Sequence, residues 1–180
     1  MSQTNQEYDQ IVSKCKQLFV QKTKDYGTAW RILRPTSLTD QILIKARRIR
    51  QIQENGVQKI GDTVNSELIG IVNYAVLALV QLSLPKDFPI ELEVEKAVEL
   101  FEAQVFVTKN LMLEKNHDYG EVWREMRISS MVDLILMKLL RIKQIENNAG
   151  KTIVSEGLDA NYQDIVNYAI FCLIKIENNQ

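Results

Sequence analysis

Glu67, Gly70 and Asn73 recur every third residue along an otherwise apolar stretch, and Asn161, Asp164 and Asn167 do the same further along the chain. On an α-helix this spacing puts each trio on one narrow stripe. A buried polar group without a partner costs roughly 1–3 kcal/mol, and a lone charge costs more. Each stripe must therefore meet partners across the fold, or a ligand, a metal or water. The acid changes place between the stripes, Glu67 in the first and Asp164 in the second, which points to one composite site with a contribution from each. Internal pairing with Lys45, Arg48, Lys138 or Arg141 accounts for both acids equally well. Those bases form the pairs Lys45-x-x-Arg48 and Lys138-x-x-Arg141. They suit phosphate, because Arg offers a planar fork and Lys a mobile point charge; the alternative is a solvated helix face. The segments Asp25-Tyr26-Gly27-x-x-Trp30-Arg31 and Asp118-Tyr119-Gly120-x-x-Trp123-Arg124 also invite two readings. In one, Asp25 and Asp118 are metal ligands or bases, Arg31, Arg34, Arg124 and Arg127 clamp phosphates, and an aromatic ring stacks on a base. In the other, glycine ends a helix, tryptophan plugs the core and Asp–Arg pairs fix the loop.

These residues come in pairs because the chain is a duplication. Between residues 22–55 and 115–148, an offset of 93, 17 of 34 positions are identical. With one inserted residue, Ile71-Val72-Asn73-Tyr74-Ala75 returns as Ile165-Val166-Asn167-Tyr168-Ala169. Within each copy the apolar period is helical. Thr4-x-x-Glu7 reads as a capping box opening a first helix, and Gly27 as its left-handed stop. Lys22 and Lys24 in the last turn suit the helix dipole. Ser37-x-x-Asp40 and Ser130-x-x-Asp133 read as the starts of second helices ending near Asn55 and Asn148. Loops at 56–61 and 149–155 precede very apolar third helices, at about 64–83 and 158–177. The expectation is an all-α fold of six main helices, two tandem three-helix repeats packed with pseudo-two-fold symmetry. The first repeat covers 1–84, a proline-bearing linker 85–89 and the second repeat 90–180, packed as one globular unit.

Composition narrows the function classes. In 180 residues, 22 Lys and Arg face 23 Asp and Glu, so polymeric nucleic acid is not the expected partner. The run Leu68–Leu84 is interrupted by Gly70, Asn73, Gln81 and Ser83 and reads as short of a membrane span. Cys15 and Cys172 have no metal-ligand spacing and fit reduced, packed thiols, and the polar start carries no secretory signal, so the protein is expected to be cytoplasmic. His117 has Lys24 as its counterpart and reads as a solvent-facing side chain. Phosphate-binding glycine loops and a serine nucleophile elbow do not occur in the sequence.

The series Lys-x-x-Asp-Tyr-Gly-x-x-Trp-Arg, Ser-x-x-Asp, Lys-x-x-Arg-Ile and Ile-Val-Asn-Tyr-Ala, present twice, resembles the nucleotide modification associated domain 1 family. The resemblance implies a place in nucleotide metabolism. It also implies an acid just before the Ile-x-Asn-Tyr-Ala segment, matched by Asp164 but not by Gly70, and upstream acids matched by Glu156 and Asp62. A looser resemblance is to the all-α nucleoside triphosphate pyrophosphohydrolases of the MazG and dimeric dUTPase type. It implies Mg²⁺ held by Asp25, Glu67, Asp118 and Asp164, with phosphates on Lys45, Arg48, Lys138 and Arg141. The third helices carry no Glu-x-x-Glu and read instead Glu67-x-x-Gly70 and Asn161-x-x-Asp164. Together these readings give a protein that binds a nucleotide or another phosphate-bearing small molecule near the pseudo-two-fold axis, as a phosphoanhydride hydrolase if it is an enzyme. The alternative is a non-catalytic helical binding module with an internal salt-bridge network. Association into a homo-oligomer is compatible with either.

Overall fold

A computed structural model describes residues 2–56 and 63–179. Asp62 and most of the expected first loop lie outside the described residues. Among these residues there are six α-helices and no strand: α1 (Gln3–Tyr26), α2 (Pro35–Asn55), α3 (Val64–Ser83), α4 (Val94–Tyr119), α5 (Ile128–Asn147) and α6 (Leu158–Asn178). Short 3₁₀ turns, Ala29–Ile32 and Val122–Arg124, join α1 to α2 and α4 to α5.

Local chemistry sets these bounds. Gly27 ends α1 with φ 69° and ψ −152°, a region open in practice only to glycine, and its N–H donates to Thr23 O at 2.8 Å. α2 starts at Pro35, whose fixed φ suits a first turn and whose missing N–H leaves nothing unpaired there. Ser37 and Ser130 consequently fall inside their helices and cap nothing; Arg34 and Arg127 hold the capping positions. Asp40 and Asp133 instead bridge the repeats, Asp40 to Lys143 and Asp133 to Arg50 at 3.6 Å, two ion pairs that exchange under the 93-residue offset. Thr4 is likewise buried within α1, and Ser2 takes the cap by accepting from Asn5 N.

The packing is pseudo-two-fold. α3 lies against α6, α2 against α5 and α1 against α4, each helix paired with its own counterpart. The remaining contacts come in matched sets, α2–α3 with α5–α6, and α1–α6 with α4–α3. The core runs along α3 and α6, where Leu68, Ile71, Ala75, Ile165, Ala169 and Ile170 are fully buried. By length and composition α3 does qualify as a membrane span, contrary to the sequence reading, but here it is the central core helix and most of its apolar surface is packed against its neighbours. The duplication is not perfect inside. Tyr8 of α1 donates to Asn167 Oδ1 at 2.9 Å, and Asn167 Nδ2 donates to Thr108 O at 3.3 Å. In the first repeat Asn73 Nδ2 makes the matching bond to Cys15 O at 3.1 Å. The counterpart of Tyr8 is Phe101, which has no hydroxyl, and the buried Asn73 Oδ1 has no partner among the described residues.

Candidate functional site: one pocket in each repeat

The two stripe acids do not share a site. Glu67 is paired within its own repeat, with Lys45 Nζ at 3.1 Å and with Arg48, both on α2. Asp164 is paired within the second repeat, with Lys115 Nζ on α4 and Lys138 Nζ on α5, each at 2.6 Å. The side chains of Glu67 and Asp164 are only 6% and 10% exposed, so these cations are what makes their burial tolerable. Partial burial opposes the Lys115 charge, but the hydrogen bond and charge of Asp164 outweigh it and raise its pKa. The composite site on the axis is thus replaced by two separate networks. The reason is reach: every lysine that meets Glu67 or Asp164 is on a helix of the same repeat, packed directly beside it.

Each network borders a cavity built from its own repeat alone. In the first, a space of about 530 Å³ opens between the C-terminal end of α1, the Ala29–Ile32 turn, α2 and α3. Lys22, Lys45 and Glu67 supply its charges, Tyr26, Trp30 and Tyr74 its aromatic surface, and Asn73 its amide. In the second, about 460 Å³ is bordered by the counterparts Lys115, Lys138, Asp164, Tyr119, Trp123, Tyr168 and Asn167, with Glu156 at its edge. The indole Nε1 atoms of Trp30 and Trp123 are buried and donate to no group among the described residues. Trp123 is stacked on Phe171 at 4.3 Å with Arg124 over its other face, which fixes the ring in the cavity wall. Tyr26 and Tyr119 are 62% and 77% exposed and stand at the cavity mouths; they are not core residues.

The other expected residues separate by role. Arg31 donates to Phe88 O at 2.9 Å, to Pro89 O at 3.2 Å and to Gln81, so it holds the chain after α3 against the Ala29–Ile32 turn. Arg124 binds Glu7, Thr4 and Glu121, each at 2.6 Å, and ties α1 to the second repeat. Both guanidiniums are engaged in structural bonds, and neither lines the two cavities. Arg34 and Arg127 are exposed and line neither cavity. Arg48 is committed to Glu67, and Arg141 borders a neighbouring groove of about 560 Å³ with Glu156 and Asn161. Lys45 and Lys138 are the predicted bases that reach the cavities. Lys22 and Lys115 were missed as site residues. Their identity across the offset was visible, but a helix-dipole role already explained Lys22. His117 is exposed and its Nδ1 lies 3.1 Å from Asp118 Oδ1.

The acids do not fit Mg²⁺. Such a site needs several carboxylate oxygens turned on one centre. Glu67 and Asp164 are each held by two cations, whereas Asp25 and Asp118 are exposed and line neither cavity. No cluster of three or more acids, cysteines and histidines suited to a metal occurs among the described residues.

No curated protein and no solved structure matches the chain. Sequence comparison with protein families finds nucleotide modification associated domain 1 twice, over residues 22–82 and 115–176, and each match contains one complete lysine–aromatic cavity wall from Lys22 or Lys115 onward. With most of its length matched in two successive copies, the chain belongs to the nucleotide modification associated domain 1 family as a tandem duplication.

Proposed function

We propose that the chain is a nucleotide-binding protein that takes its ligand into the cavity of a repeat, with the base against the aromatic side and the phosphate toward the lysines. The observation that carries this is the coincidence, in a cavity of about 530 Å³, of Tyr26, Trp30 and Tyr74 with Lys22 and Lys45. Ligand sites for small molecules span roughly 300–1,000 Å³ and pair apolar walls with a few polar groups. With each stripe acid already neutralised, the reading is of binding and does not include metal-assisted hydrolysis.

Thermal unfolding with each deoxynucleoside and ribonucleoside 5′-monophosphate and triphosphate, with and without Mg²⁺, tests it. A ligand at a hundred times its Kd stabilises by about 2.7 kcal/mol. A nucleotide should raise the midpoint by several degrees, its nucleoside should do less, and Lys45→Met should remove the difference. If no nucleotide shifts the midpoint, the reading falls. In that case the internal salt-bridge network, plainly present in Glu67–Lys45–Arg48 and Asp164–Lys115–Lys138, remains as the stripes' whole purpose.

A further inference from the structure

The second repeat contains a lysine fork closed by its own carboxylate. Asp164 Oδ1 meets Lys115 Nζ and Asp164 Oδ2 meets Lys138 Nζ, both at 2.6 Å. The first repeat has the same two lysines, Lys22 and Lys45, on the same helices, but Gly70 stands where the second has Asp164. The aliphatic stem of Lys45 lies across that glycine, so close that a Cβ there would be 2.7 Å from Lys45 Cε and 2.9 Å from Cδ. Its ammonium reaches past Gly70 to Glu67, one helical turn earlier. Lys22, the other prong, makes no ion pair or hydrogen bond with any described residue and sits at the mouth of the 530 Å³ cavity. The first fork is thus the second fork without its anion.

We propose that the Lys22–Lys45 fork over Gly70 binds the phosphate group of a small molecule, and that Asp164 closes the equivalent place in the second repeat as a built-in anion. The chain accordingly takes one such anion, in its first repeat. The missing Cβ at Gly70 leaves room for a group bulkier than a carboxylate once Lys45 swings up to meet it. Glu67 tolerates that movement because Arg48 still holds it. This deepens the nucleotide reading by assigning its phosphate subsite, and it rests on the same cavity.

The test is calorimetric titration of the full chain with inorganic pyrophosphate and, in parallel, with the 5′-nucleotide giving the largest thermal shift. The expected stoichiometry is one, with affinity falling as salt screens the lysines. Lys22→Met should weaken pyrophosphate by about tenfold or more, since a charged partner is lost outright. Lys22 is exposed and has no partner among the described residues, so this variant keeps its fold. Gly70→Asp should abolish binding by supplying the second repeat's anion, and Asp164→Gly should open a second site, giving a stoichiometry of two. Two equal sites in the parent, affinity unchanged by Lys22→Met and Gly70→Asp, or no saturable binding of either probe would overturn the proposal. The two readings fail separately. Pyrophosphate held at the fork with a nucleotide no tighter sustains this inference and removes the nucleotide. A nucleotide bound with indifference to both substitutions sustains the nucleotide and removes the fork.

Discussion

Tyr8→Phe isolates one polar contact between the repeats. The Tyr8 hydroxyl is fully buried and donates to Asn167 Oδ1 at 2.9 Å, while Asn167 Nδ2 is engaged with Thr108 O. Losing the hydroxyl deletes one hydrogen bond, a net of about 0.5–1.5 kcal/mol, and leaves an acceptor with a desolvation penalty of about 1–3 kcal/mol. Asn167 also borders the second cavity, so water can recover part of that penalty and bring the expected loss to about 1–2 kcal/mol. For a chain of this length that is a fall in Tm of roughly 3–6 °C. Urea unfolding should show a lower midpoint at unchanged slope, because no surface burial changes. A double-mutant cycle with Asn167→Leu sharpens the test. In that background the Tyr8 hydroxyl is itself unpaired, and Tyr8→Phe should become neutral or stabilising. A loss in the parent below about 0.5 kcal/mol, or an equal loss in both backgrounds, would show that the hydroxyl is not what Asn167 depends on. Asn73 makes the expected size credible. It already lives without this donor because its counterpart residue is Phe101, so the fold tolerates the deficit but does not escape its cost.

Other perturbations follow the same accounting of partners. Lys138→Met leaves the 10%-exposed Asp164 one cation short but still paired with Lys115, and should cost about 1–3 kcal/mol by chemical denaturation, most of it recovered by adding Asp164→Asn. Burial pushes the Cys15 and Cys172 thiols up to about 12, so neither should react with Ellman's reagent in the native protein at neutral pH, and both should react in urea. The same shift carries a sign. Unfolded thiols lose their protons above about 9 while the folded ones keep theirs to about 12, so the folded state binds more protons in that window. Stability should be untouched by these groups below pH 9 and fall above it, by up to about 1.4 kcal/mol per pH unit for each thiol, with Cys15→Ala and Cys172→Ala each flattening the slope.

Much of the fold was legible because helices are local. The third helix was expected at 64–83 and occurs there, since an apolar run with Thr63 before it and Pro85 after it needs no distant partner to be delimited. The helix starts were less legible. Thr4-x-x-Glu7 and Ser37-x-x-Asp40 carry the right spacing for capping boxes, yet Ser2 and the Arg34–Pro35 junction begin the helices earlier, and the leftover acids were free to bridge α2 to α5. At the site, the types of residue were right and their groupings were not. Arg31 and Arg124 have the chemistry of phosphate clamps but are turned toward backbone carbonyls and Glu7, partners that are distant in the chain.

Taken alone, then, the sequence determined the duplication, the helical class and which stripes must find polar company, because period, composition and the offset of 93 are properties of neighbouring residues. Only the tertiary structure decided who the company is. Ion pairing depends on ångström-scale approach between helices, and a lysine with a stem of four methylenes can answer an acid on either of two successive turns. Lys45 passes Gly70 to reach Glu67 while Lys138 stops at Asp164, so two copies of one motif end in different pairings, with Lys115 and Lys138 joined by one acid and Lys22 left without a partner among the described residues.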